Sequence, residues 1–133
     1  MRNVFLALTL TAIVACGSTS PADFNVVGTY KLKAINGSSL PYVVVDNATV
    51  KLEFLDDAIT LKENGTYAQI GHSRRTEGGK VITETIPDSG TYTRTGNDIV
   101  FRRAADNTAD YGTVLENSLT VAHFGLTAAY AKQ

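Results

Sequence analysis

The sequence predicts an all-β fold, in the form of one up-and-down antiparallel β-barrel of about eight to ten strands. Apolar Val50, Leu52 and Phe54 alternate with Lys51 and Glu53, and a period of two is typical of a strand with one buried face. Pairs of residues that tolerate positive φ recur between such runs, as tight hairpin turns require. No long stretch carries apolar residues at helical spacing, so no substantial helix is predicted.

The candidate strands follow one another with short connections, which favours a meander. Asn64-Gly65, Gly78-Gly79 and Gly96-Asn97 are predicted hairpin turns, and Asp56-Asp57 and 87–90 are predicted to be turns as well. Closing a meander into a barrel removes its exposed edges, whereas an open two-sheet sandwich is the main alternative. The individual runs, some of which we expect to merge, are 28–35, 42–46, 49–55, 58–63, 66–76, 80–86, 90–95, 98–103, 113–116, 118–124 and 126–132.

The N-terminal segment is apolar from Val4 to Ala15 and follows a single basic residue, Arg2. It is too short for a membrane-spanning helix, which needs about 20 apolar residues, and has the length of a signal-peptide core. Residues 13–16 (Ile-Val-Ala-Cys) resemble the lipobox of bacterial lipoproteins. The resemblance implies cleavage before Cys16, lipidation of Cys16 and attachment to a membrane. The alternative is a short buried helix in an intracellular protein, with a free cysteine.

This interpretation divides the chain into three parts. Residues 1–15 are the expected signal peptide, 16–26 a lipidated flexible tether that is rich in small and polar residues, and 27–133 the barrel domain. Gly17 follows the cysteine, at the position where an aspartate would be the lipoprotein family's usual signal for retention in the inner membrane of Gram-negative cells. The resemblance therefore implies a cell-envelope protein, on the outer membrane and facing the periplasm if the cell is Gram-negative.

The composition narrows the expected partners. Lys and Arg number 12 against 13 for Asp and Glu, so no basic excess points to nucleic acid. Cys16 is the only cysteine, so no disulfide is expected and the hydrophobic core must hold the domain by itself. We expect a monomer that carries no cofactor and reaches the membrane through its lipid anchor.

Three Gly-Thr-Tyr triplets, at 28–30, 65–67 and 90–92, each open a predicted strand. Together with 96–101 and 119–121, they are similar to the lipocalin-like domains of bacterial lipoproteins, members of the calycin group of small barrels. The resemblance implies a closed barrel that can hold a small apolar or amphipathic ligand.

In lipocalins, a Gly-x-Trp motif on the first strand packs its aromatic ring across the closed end of the barrel. Tyr30 stands at the matching place, and the chain contains no tryptophan.

The candidate ligand-binding residues are large side chains expected inside the barrel or at its mouth, together with one arginine. In Arg74-Arg75, adjacent strand residues point to opposite faces, so one guanidinium could pair with the carboxylate of a fatty acid. Core packing is the alternative role for the aromatic residues. The full set is Tyr30, Tyr42, Phe54, Tyr67, Arg74, Tyr92 and Phe101.

No catalytic signature is present: the chain has no Gly-x-Ser-x-Gly elbow, phosphate-binding loop or His-Glu-x-x-His motif. A metal site that joins His72 and His123 to Asp46 or Asp110 has no ligand spacing in its favour, so no metal is expected. Asp56-Asp57 are interpreted as solvated turn residues.

The sequence therefore predicts a non-enzymatic ligand-binding barrel. The alternative is an interaction module or inhibitor that presents 36–42 and the hairpin 74–80 to another envelope protein.

Overall fold

A computed structural model describes residues 23–133 as ten strands with no helix. The predicted signal peptide, Cys16 and the tether up to residue 22 lie outside the described residues. No helical segment within 23–133 could cross a membrane. The strands are β1 (Gly28–Ile35), β2 (Ser38–Ser39), β3 (Tyr42–Asp46), β4 (Val50–Leu61), β5 (Thr66–Glu77), β6 (Lys80–Thr95), β7 (Asp98–Arg103), β8 (Ala109–Leu115), β9 (Ser118–His123) and β10 (Leu126–Lys132).

Eight of these strands close into an up-and-down antiparallel barrel, which confirms the predicted fold class. Strands β4 to β10 pair in sequence order, β10 pairs with β1, and β1 pairs with β4 to complete the ring. The short strands β2 and β3 add to β1 and β4 outside the ring. Each of the eight main strands therefore has a paired strand on both sides within the ring, which removes free edges there.

Two turn predictions were wrong, since β4 and β6 are each one strand where two were expected. In β4, a bulge between Phe54 and Asp56 absorbs one extra residue, and pairing with β5 continues through Asp57. In β6, Pro87 pairs with Ile70 of β5. Pairing between β6 and β7 starts only at Gly90, so Pro87 lies in an edge stretch, where proline is tolerated.

One end of the barrel is plugged. The hydroxyl of Tyr30 donates to the carbonyl of Val26 at 2.7 Å, and the guanidinium of Arg94 lies 4.2 Å from the ring centre of Phe24 while donating to its carbonyl. The chain therefore enters the barrel at this closed end. The largest side chains with under 2% exposure, which include the Tyr30 of this plug, are Tyr30, Leu61, Ile99, Val114 and Leu119.

At the other end, β4, β5 and β6 run past the rest of the ring, and β3 pairs with β4 there. We call this four-stranded part the sheet extension: β3, 50–54 of β4, 71–77 of β5 and 80–89 of β6. The barrel thus has a packed end and an opposite end with one tall wall.

Gly90 lies where β6 begins to pair with β7, and a Cβ atom there would fall 1.9 Å from the carbonyl oxygen of Arg102. Because this obstacle is backbone, Gly90→Ala forces the strands apart, and we expect a loss of about 1–3 kcal/mol or more in the free energy of unfolding. Urea denaturation measures it. The exposed neighbour Ser89→Ala is the control, with a change within about 0.5 kcal/mol. Equal stability of Gly90→Ala and the wild type would contradict this strand packing.

Candidate functional site

A cavity of about 500 Å³ lies inside the barrel at the end opposite the Tyr30 plug and is partly open to solvent. Ligand pockets in proteins commonly measure about 300–1,000 Å³. Its wall is predominantly apolar because inward-facing residues of successive strands alternate with outward-facing ones. Apolar lining residues include Leu32, Ile35, Ile59, Val121, Leu126 and Ala128.

An exposed aromatic residue stands at the mouth of this cavity. Phe124 lies in the turn between β9 and β10 with 85% of its surface exposed, and it lines the cavity. Its backbone adopts a φ of 46°, which is uncommon for a bulky side chain. Its ring centre lies 3.8 Å from that of His123. The mouth thus offers an apolar surface to an entering molecule.

Three of the sequence-predicted binding residues line the cavity. Tyr67 and Phe101 form an edge-to-face pair deep in the barrel, with ring centres 5.2 Å apart. Phe54 lines the wall on β4 just before the bulge. Burial raises the pKa of Tyr67 to about 12, and Asp88 adds to this effect. The Tyr67 hydroxyl therefore stays protonated at neutral pH and can donate.

The other four predicted residues lie elsewhere. Tyr30 belongs to the plug, and Tyr92 donates its hydroxyl to the carbonyl of Lys62 at 2.7 Å. Tyr42 accepts a hydrogen bond from Asn36 at 3.3 Å and does not line the cavity.

Arg74 is held by a carboxylate of the sheet extension. Its Nε donates to Oε2 of Glu53 at 2.9 Å, while Nζ of Lys51 lies 3.1 Å from Oε1 of the same residue. Glu53 has only 5% exposure, and the hydrogen bonds from Arg74 and Lys51 lower its pKa. Because Arg74 is engaged in this cluster and does not line the cavity, it has no contact with the ligand space.

Sequence reasoning missed most of the polar groups of the cavity. Asp56 and Asp57, interpreted as turn residues, instead lie within β4 and line it. A signal was available, because Asp57 shares the parity of Ile59 and Leu61, both buried. The other polar lining residues are Gln69, His72, Asp88, Arg103, Asp110, His123 and Tyr130.

Arg103 organises one wall. Its Nε lies 3.0 Å from Oδ2 of Asp88, an ion-pair distance without hydrogen-bond geometry, and its Nη2 lies 3.8 Å from Oδ2 of Asp110. The same Nη2 is 3.3 Å from Nε2 of His123, whose Nδ1 contacts Asp110. The one arginine of the wall is therefore shared between two carboxylates. Near the mouth, Nδ1 of His72 pairs with Oδ1 of exposed Asp56 at 2.6 Å.

Asp57 has a different environment. Its Oδ2 accepts hydrogen bonds from the hydroxyl of Tyr130 and from Nε2 of Gln69, both at 2.6 Å. Its Oδ1 is buried and has no hydrogen-bond partner among the described residues. Burial raises the pKa of Asp57, and hydrogen bonds from Tyr130, Gln69 and the backbone of Ala58 oppose that rise only in part. One carboxylate oxygen is therefore unpaired within a largely apolar enclosure.

Within residues 23–133, no three side chains of the metal-binding types come together. No protein-family model and no curated protein matches the chain.

Asp57 gives a prediction for the pH dependence of stability. The pKa of Asp57 is higher in the folded protein than its ordinary value of 3.8. Asp57 therefore contributes stability to the folded state below pH 3.8, and this contribution is lost as the pH rises through the folded-state pKa. Asn is neutral at every pH. The free energy of unfolding of Asp57→Asn, relative to that of the wild type, should therefore increase as the pH rises across this window and then level off. Urea denaturation from about pH 3 to pH 8 measures the difference.

Asp56→Asn, at the exposed neighbouring position, is the matched control and should lack this upward trend. A difference between Asp57→Asn and the wild type that stays constant with pH would contradict the assigned burial of Asp57.

Proposed function

We propose that this chain is a membrane-anchored envelope lipoprotein whose lipocalin-like barrel binds a small apolar or amphipathic molecule without transforming it. The cavity of about 500 Å³ carries the proposal, because a barrel of this size can be filled by its own side chains and here is not. Burial of an apolar tail against the wall supplies the binding energy, at about 25 cal/mol per Å² of apolar surface.

The distribution of polar groups supports an amphipathic ligand. The deep part of the cavity is bounded by apolar and aromatic side chains such as Ile59 and Phe101, whereas His72 and Asp56 lie near the mouth. A few polar groups placed on an apolar wall are the usual means of fixing a ligand's orientation. The tail would lie inward, with its polar end among the charged side chains.

The anchor is proposed from the lipobox resemblance at Cys16. Attached acyl chains each contribute about 0.8 kcal/mol per buried methylene to membrane binding. The chain enters the barrel at the closed end, beside Phe24 and Val26. Within the described residues, the N-terminal end of the domain and the cavity mouth therefore lie at opposite ends of the barrel.

The sheet extension supports a second candidate, an interaction module that presents its surface to another envelope protein. Val44, Val81 and Ile82 are exposed there, and contiguous exposed apolar residues often mark protein contacts. A photo-crosslinking side chain at 82 should then trap one protein in intact envelopes, while one at exposed position 113 traps none. A loaded cavity with no such crosslink would favour the first candidate.

Native mass spectrometry tests whether a ligand is carried. The proposed mature chain, residues 16–133 with Cys16→Ser to prevent lipidation, is exported, purified gently and measured intact. A discrete mass above that of the polypeptide, lost on collisional activation, is the expected result. A bare polypeptide mass, combined with no uptake of any apolar probe, would contradict the proposal.

Filling the cavity should abolish binding. Ala128 lines the wall on β10, and Ala128→Phe places a ring in the ligand space, so affinity for the neutral dye Nile red should fall by at least about tenfold. Ala122→Phe, on the paired strand β9 with its side chain exposed, is the matched control and should bind like the wild type. Fluorescence titration measures both, and equal affinities would place the dye outside the barrel.

A further inference from the structure

The cavity wall carries an excess of acidic groups. Four aspartates line it, at 56, 57, 88 and 110, against one arginine, Arg103, and two histidines. Three of the aspartates have a basic partner: His72 for Asp56, and Arg103 or His123 for the other two. The exception is Asp57.

Asp57 has neutral donors only: the Tyr130 hydroxyl and the Gln69 amide, which both bind Oδ2, and the backbone N–H of Ala58. The other oxygen, Oδ1, is buried without a partner. Burying an uncompensated carboxylate is costly, whereas a cation that reaches it gains a charge-assisted hydrogen bond. The wall therefore lacks one positive group at this position.

The neighbouring strand packs closely against this oxygen through a residue that has no side chain. Gly71 pairs with Asp57 across β4 and β5, and a Cβ atom on Gly71 would come within 3.0 Å of Oδ1 and 3.4 Å of the carbonyl oxygen of Asp56. Any other residue would press against the carboxylate. Glycine at 71 therefore lets the Asp57 carboxylate keep its place in the cavity wall.

We propose that the ligand carries a positively charged amine, and that this ammonium group is held by the Asp57 carboxylate while the apolar part occupies the barrel. The inference rests on the proposed ligand-binding function and specifies its ligand class. It also replaces the fatty-acid carboxylate expected from the sequence, because Arg74 is bound to Glu53 outside the cavity and Arg103 is already engaged by Asp88 and Asp110.

Three probes of equal chain length separate the ligand classes: decylamine, decanol and decanoate. Each is titrated calorimetrically below its critical micelle concentration into residues 16–133 with Cys16→Ser, at neutral pH and low salt. Decylamine should bind at least about tenfold more tightly than decanol, and decanoate more weakly than decanol, because a charge-assisted hydrogen bond forms only with the amine.

Two variants locate the contact. Asp57→Asn should reduce decylamine affinity to near that of decanol and change decanol affinity far less, while Asp98→Asn, at an exposed aspartate of β7 outside the cavity, should keep the preference. Gly71→Ala leaves the charge in place but crowds Oδ1, so it should weaken decylamine more than decanol. Circular dichroism and the unfolding transition establish that each variant is folded.

The outcomes separate this inference from the proposed function. If all three probes bind the wild type within about threefold of one another, or if Asp57→Asn keeps the amine preference, the ammonium site is wrong and the binding barrel stands. If none of the probes binds, the proposed function itself fails for ligands of this size.

Discussion

The pairing of β1 with β4 is the interaction on which the rest of the structure depends. It spans only four residue pairs, from Gly28 opposite Leu61 to Lys31 opposite Ala58, with the hydroxyls of Thr29 and Thr60 3.0 Å apart across the seam. Beyond these pairs the two strands separate, β1 taking β2 as partner and β4 taking β3. The seam closes the ring at the plugged end, and its early divergence leaves the other end open, so closure and cavity have one origin.

The chemistry of the cavity follows from which side chains this closure brings together. Arg103 of β7 meets Asp88 of β6 and Asp110 of β8, so the one arginine of the wall is already engaged by two of its aspartates. Asp57 of β4 meets only the neutral Tyr130 and Gln69. A carboxylate with a buried, unpaired oxygen costs stability, and such a cost is typical of groups kept for binding.

The sequence predicted the β class, the closed meander and the aromatic pair Tyr67 and Phe101 of the cavity, because alternation and turn residues are local signals. It could not predict that β4 and β6 continue through their apparent turns. Whether a Pro or an Asp-Asp pair ends a strand depends on the partner alongside, and β5 supplies backbone partners over the full length of both. The role of Arg74 was missed for the same reason, since Glu53 lies on the neighbouring strand.

By itself, the sequence determined the β class and predicted a barrel over residues 27–133, with an open sandwich as the alternative, since a period of two and short turns admit few other arrangements of a chain of this size. It also contained the lipobox resemblance at Cys16, which is a matter of local order along the chain. Only the tertiary structure decided that the barrel is hollow, and that Asp57 is the one aspartate of the cavity wall without a basic partner. Both properties depend on strands that are distant in sequence. The cavity is the volume that the side chains of all the strands together leave unfilled. The charge of Asp57 is the one that remains uncompensated once the side chains of neighbouring strands have paired.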